Sequence, residues 1–168
     1  MDPCDEMNRG SRNRKDMDRF TPPPDIFGHL GEAGEATDAD LDAAITWAAL
    51  RCGRDGFDPS GPRPALRALV DGDPSPMRTH DDADVISVAM RALNEAVRRR
   101  RRERNARLMP IAVLTIVGES CAAARALEGM RLPAADAPPL PLRECDKVEC
   151  RCIIRQMSER TARKEGLL

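Results

Sequence analysis

Aromatic side chains are nearly missing from this chain of 168 residues: Phe20, Phe27, Trp47 and Phe57 are the full set, and tyrosine does not occur. Large rings carry much of the buried area of an ordinary core. A core built without them, from alanine, valine, leucine and isoleucine, must be small. Charged residues at 33% and fourteen prolines push the same way, toward a compact helical unit with loose ends. Any fold open to this chain therefore needs other support, and the cysteines are the residues placed to give it.

The chain reads as a series of punctuated helices. Residues 1–36 mix charges, a Thr21-Pro-Pro-Pro24 run and a glycine-rich stretch. Such a segment buries too little apolar surface to offset its ordering entropy, so a disordered tail is expected there. Thr37-Asp-Ala-Asp40 fits a capping box that opens a first helix. Leu41, Ile45, Ala48 and Cys52 then share one face, and Gly53 suits the end. Residues 54–78 carry turn signals around Asp55-Gly56, Asp58-Pro59 and Gly72-Asp-Pro74, interrupted by a short helix at Pro64–Val70. A long helix is expected over 80–106, with Thr79-His-Asp-Asp82 as its capping box. Ile86, Met90, Leu93 and Val97 form its stripe, widened by Val85, Ala89, Ala92 and Ala96. His80 reads as a solvated polar residue of that cap, since no second histidine lies near it.

After Pro110 the pattern changes. Ile111 to Val117 is short, continuous and β-branched, which predicts a buried strand. A helix over 122–127 follows, and residues 132–142, with four prolines, are expected to run extended. Val148, Cys150, Cys152 and Ile154 alternate with Glu149 and Arg151, which predicts a second strand. The tail after Met157 is charged and expected to be flexible. The whole reads as an α+β protein, mainly α: a helical region over 37–107 and a small cysteine-bearing strand–helix–strand module over 110–156.

Cys121, Cys145, Cys150 and Cys152 fall in that module, the last three within eight residues. Four thiolates suit a tetrahedral zinc, and a small aromatic-poor domain gains much from such a staple. Against this, regular strand geometry sets Cys150 and Cys152 about 6.6 Å apart, whereas sulfurs on one zinc stand roughly 3.8 Å apart. The spacing C-x4-C-x-C also differs from paired C-x2-C knuckles. A second reading has the cysteines packing an apolar interior as small hydrophobes, as Cys52 does on its helix stripe. A third is redox: Cys121 opens a helix, where amides favour thiolate, and Cys145 could resolve it. All three readings stay open in the sequence.

The stretch that carries these cysteines resembles a group of short uncharacterised bacterial proteins. The shared residues are Cys121, Ala123-Ala124, Leu127, Gly129, Arg131-Leu132, Ala137-Pro138, Leu140-Pro-Leu142, Cys145, Cys150 and Cys152, a C…AP-x-LPL…C-x4-C-x-C pattern. The resemblance covers residues 121–152 of the chain and implies a recurring small module. Where that group continues with an aromatic residue, a histidine pair and Asp-Arg-Arg, this chain has Ile153, Ile154, Gln156, Met157 and Ser158-Glu-Arg160.

The other outlier is charge. Residues 98–107 hold seven arginines and one glutamate in a chain whose net charge is −1. Arg98, Arg99, Arg101, Arg102 and Arg104 are the candidates for sequence-independent contact with nucleic-acid phosphates. The competing expectation is a solvated helix end pairing with the acidic N-terminal region or with a partner's acids. No phosphate-binding glycine loop, dinucleotide fingerprint, H-E-x-x-H or G-x-S-x-G occurs, so no enzyme class is indicated. No apolar leader or membrane-length run is visible, and a cytoplasmic, reduced setting is expected. The functional expectation is a non-catalytic binding or regulatory protein with a structural cysteine module, zinc being the candidate ion. The alternatives are a nucleic-acid-associated protein using the arginine helix and a thiol redox protein using Cys121.

Overall fold

The computed structural model describes residues 32–117, 121–142, 144, 145, 147, 148 and 151–168. Most of the expected amino-terminal tail, with Cys4, lies outside them, as does Cys150. The fold is α+β and mainly helical, and it divides into two compact units, one ending at Val97 and the other beginning at Arg98.

In the first unit, helix α1 spans Asp38–Arg51 and begins as its capping box dictates. The Thr37 hydroxyl accepts the Asp40 amide at 3.3 Å, and the Asp40 carboxylate accepts the Thr37 amide at 2.8 Å. Two orphan amides of the first turn are thereby satisfied. Thr37→Ala is expected to cost about 1 kcal/mol in denaturant unfolding; an unchanged midpoint would show that the cap adds nothing. Leu41, Ile45, Ala48 and Cys52 are all buried. Gly53 then takes φ 78°, the left-handed conformation that ends helices and that glycine adopts without steric cost.

Helix α2 covers Arg63–Val70, with proline in its first turn and Leu66 fully buried. It is preceded and followed by two Asp-Pro-Ser turns. The Ser60 amide and hydroxyl donate to Asp58 at 2.9 and 2.8 Å, and Asp73 accepts from the Ser75 hydroxyl and, at 2.9 Å, from the Ser75 amide. These donors favour the charged carboxylates and hold both below the usual carboxylate range.

Helix α3 spans Ala83–Asn105, and its start departs from expectation. Thr79 is the last residue of a 3-10 turn over Pro76–Thr79, so it is not free to act as an extended N-cap. The chain instead turns through His80, which is half-buried rather than solvated. Its Nδ1 accepts the Asp82 amide at 3.1 Å, while the Asp82 carbonyl accepts the Ile86 amide at 3.0 Å. The Arg54 guanidinium reaches this helix start, with Nη1 2.5 Å from Asp82 and Nη2 3.1 Å from Asp84. Burial pulls the Arg54 pKa down, but Asp84 and Asp82 outweigh it and hold the group above its ordinary value.

The second unit is built on a three-stranded antiparallel sheet in the order β2-β1-β3. The expected strand β1, Ile111–Thr115, is its centre. Helix α4, Ala122–Leu127, follows, and Gly129 at φ 73° returns its amide to the Leu114 carbonyl at 3.3 Å. The next segment was expected to be merely extended, yet Arg131–Pro133 forms strand β2 and a 3-10 turn follows at Ala134–Asp136. Pro133 is tolerated because β2 is an edge strand. Strand β3 lies at Ile153–Met157, later than the alternation over 148–154 predicted. Its partner explains the shift: Ile153 opposes Thr115 and Met157 opposes Ile111, so the ladder is only as long as β1 allows. The strand–helix–strand unit of the sequence reading is thus a sheet of three strands rather than two.

The carboxyl-terminal segment is also ordered, as helix α5, Glu159–Lys164. Ser158 caps it by accepting the Thr161 amide at 3.2 Å. Ala162 is fully buried and packs with Val113, Met157 and Leu167, and Arg155 of β3 forms an ion pair with Glu165. Alternation along β1 therefore serves two interiors, Val113 toward α5 and Leu114 toward the opposite face.

Candidate functional site

The opposite face of the sheet holds the cysteines. Leu114, Cys121, Ala124, Leu140, Leu142, Cys145 and Cys152 form one buried cluster, with Ile116, Ala123, Leu127 and Ile154 packed against it. Each part has a local cause. Cys121 sits at the N-cap of α4, where its Sγ accepts the Ala124 amide at 3.3 Å. A sulfur does here the work that a hydroxyl or carboxylate does at most helix starts. The Leu140-Pro-Leu142 segment is held with both leucines 5% exposed. Cys145 comes three residues after Leu142, its Sγ 3.8 Å from the Lys147 carbonyl. Cys152 comes one residue before β3 and continues the inward face of Ile154.

Three of the four sulfurs singled out in the sequence thus share an interior. Cys121 is 2%, Cys145 7% and Cys152 8% exposed, and none is in a disulfide. Cys150, the fourth proposed ligand, lies outside the described residues. Among the described residues no group of three or more histidine, cysteine, aspartate or glutamate side chains is placed to hold a metal ion. The cluster is otherwise apolar, so what the arrangement does directly is bury sulfur against leucine, isoleucine and alanine. Buried thiols of this kind are shielded from the reagents that a redox cysteine must meet.

The arginine block is sorted rather than evenly displayed. Arg98, Arg101, Arg104 and Arg107 are exposed. Arg99 is half-buried and pairs with Glu103 at 3.0 Å, an i,i+4 contact along the helix. Arg100 is half-buried, and its Nη1 is enclosed with no hydrogen-bond partner among the described residues. Arg102 is buried, 6% exposed, and so leaves the phosphate-facing set to which the sequence assigned it. Arg98, Arg101 and Arg104 advance by three residues each and stay within a sector of about 120°. Arg102 follows Arg98 by one helical turn, about 40° away on the wheel, so packing of the helix end and not helical spacing encloses it.

The end of this helix is tied to the sheet by one side chain that sequence reading passed over. The Gln156 amide nitrogen donates to the Arg102 carbonyl at 2.9 Å and to the Met109 carbonyl at 2.8 Å. The last carbonyls of a helix lack intrahelical donors, and Gln156 supplies one. The only signal in the sequence was a neutral amide at an inward strand position.

A second arrangement missed in the sequence lies in the first unit. Asp38, Ser60, Arg63, Pro64 and Arg67 line an open cleft of about 340 Å³. Arg63 Nε stands 2.7 Å from Asp42 and Arg67 3.1 Å from Asp38. Its charges are matched within the protein, two guanidiniums against two carboxylates, which ties α1 to α2.

No described helix is long and apolar enough to cross a membrane. No family model, curated protein or solved structure matches the chain.

Proposed function

We propose that the protein is a non-catalytic binding or regulatory protein whose carboxyl-terminal unit is held together by its cysteines. The observation that carries this reading is the single buried cluster that joins Cys121, Cys145 and Cys152 to Leu114, Leu140 and Leu142. A sheet of two five-residue strands and a three-residue edge has little else to bury on this face. The cysteines and the two leucines are among the residues of the resemblance to short bacterial proteins, which supports reading this segment as one module.

Zinc is the ion to which this set is suited. Cys121, Cys145 and Cys152, joined by Cys150, would supply four thiolates, and the amide already donated to the Cys121 sulfur is the kind of contact that orients a metal-bound thiolate. The ion would add folding free energy to a unit short of apolar area.

The test uses the full chain purified without chelator. Cys121→Ala, Cys145→Ala and Cys152→Ala are each expected to lower stability by about 1 kcal/mol in denaturant unfolding, the loss of one buried methylene-sized group. Three neutral variants overturn the structural role. Elemental analysis reads the ion: one equivalent of zinc, lost to chelator together with the sheet, assigns the stapled form. Less than roughly a tenth of an equivalent, given the tight binding of structural sites, leaves packing alone.

A further inference from the structure

We infer that Arg98, Arg101, Arg104 and Arg107 form a docking face for the phosphate backbone of duplex nucleic acid, read without regard to base sequence. This rests on the arginine helix and is independent of the cysteine core. The four side chains are exposed and carry no ion pair among the described residues. Glu103, the acid within the block, is engaged by Arg99. Within the helix, spacing at three residues sets Arg98, Arg101 and Arg104 about 4.5 Å apart along the axis, each pair a like-charge neighbour that the helix is better without; Arg107 follows in the turn just beyond Asn105. A single cation near the last turn is enough to complement the helix dipole. Among the described residues no carboxylate meets these four side chains, and an external polyanion would.

The shape of that anion follows from what surrounds the row. Duplex nucleic acid carries one charge per about 1.7 Å of axis, dense enough to meet several guanidiniums of one short row at once. Single strands are usually held by base stacking on aromatic rings. Here Trp47 is buried, Phe57 is partly buried beside Arg54, and the arginine helix carries no ring. Among the described residues phosphate contact alone is left, and with it sequence independence. The Gln156 amide on the Arg102 carbonyl also blunts the negative end of the helix, which would otherwise oppose a phosphate beside the last turn.

The experiment is fluorescence anisotropy of the full chain with a labelled random-sequence DNA duplex of 24 base pairs, across 50–200 mM salt. Four phosphate contacts predict a fall in affinity of about a hundredfold over that range, from a slope of about 0.9 per contact. The triple variant R98Q/R101Q/R104Q, which keeps Arg107, should bind more weakly at 50 mM and lose only about fourfold over the same range. Its unfolding midpoint should match the parent, because the three side chains are exposed. No binding by the parent at 50 mM, a salt dependence unchanged in the triple variant, or a marked preference for one duplex sequence overturns the proposal. So does equal or tighter binding to an acidic polyglutamate peptide or to vesicles rich in phosphatidylserine, which would assign the face to a different polyanion.

Discussion

Leu114→Ala should destabilise the carboxyl-terminal unit by about 2–5 kcal/mol, the range for removing a buried leucine side chain. Leu114 is 2% exposed on the centre strand and opposes Ile154. It belongs to the same cluster as Cys121, Ala124, Leu140, Leu142, Cys145 and Cys152. Few large side chains stand ready to refill the space, because the cluster holds no aromatic ring. The loss is therefore expected toward the upper part of that range. The readout is chemical denaturation alongside the rate of thiol labelling. Cys121, Cys145 and Cys152 should become reactive together, since one interior hides all three. Ile153→Ala is the comparison: Ile153 is 39% exposed on the neighbouring strand, and its truncation should be nearly neutral. If the two variants unfold alike and labelling stays slow in both, the sulfurs do not share a core that depends on Leu114.

Gln156→Glu should cost about 1–3 kcal/mol at pH 7. The amide that donates to two carbonyls would become a carboxylate with nothing to donate, set against the oxygen of Arg102 and that of Met109. The charged form is disfavoured in the folded protein, so the folded pKa of the new carboxyl lies above its unfolded value of about 4.3. The sign follows from that. The deficit is smallest below the unfolded pKa, where both states are protonated, and grows as pH rises through the folded pKa. Gln156→Leu removes the same donors without a titrating group, so its deficit should not change over that interval. Urea unfolding of both variants between pH 3.5 and 7, on the order of the range just set, separates them. A Gln156→Glu deficit that is constant with pH, or absent, would mean that the helix end does not rely on this side chain.

The two variants probe features of unequal visibility in the sequence. Strand β1 was legible because a continuous β-branched run between a proline and a glycine has few other structures open to it. Helix α1 was legible to the residue: Thr37 and Asp40 carry the reciprocal cap, and Gly53 the stop. The stripe of α3 was equally clear, but its first turn was not. Thr79 fits the capping pattern, yet the prolines at 74 and 76 draw it into a 3-10 turn and pass the start on to Asp82. Strand β2 was hidden by its length and by Pro133, and α5 by its charge. Ala162 is the one fully buried residue of that helix, and a single alanine leaves no periodic trace.

The candidate sites divide in the same way. That Cys121, Cys145 and Cys152 fall in one small module was visible from their crowding in the sequence; that Leu140 and Leu142 pack with them was not. That they point into one interior depends on β3 entering the sheet at Ile153, which sets Cys152 on the face of Ile154 and Leu114. The seven arginines were plain from composition. Only the packing of the helix end decides that Arg98, Arg101 and Arg104 stay exposed while Arg102, one turn on from Arg98, is enclosed.

The amino-acid sequence by itself determined the local elements and the residue types that could hold or recognise anything: caps, stripes, a strand, thiols and a block of positive charge. Those are consequences of short-range sterics and hydrogen bonding. The tertiary structure alone decided the strand order, the register that ends β3 at Met157, the pairing of Gln156 with a helix end 54 residues earlier, and which charges remain in water. Each of these is a contact between distant parts of the chain, chosen by what can be buried together, and no local pattern encodes it.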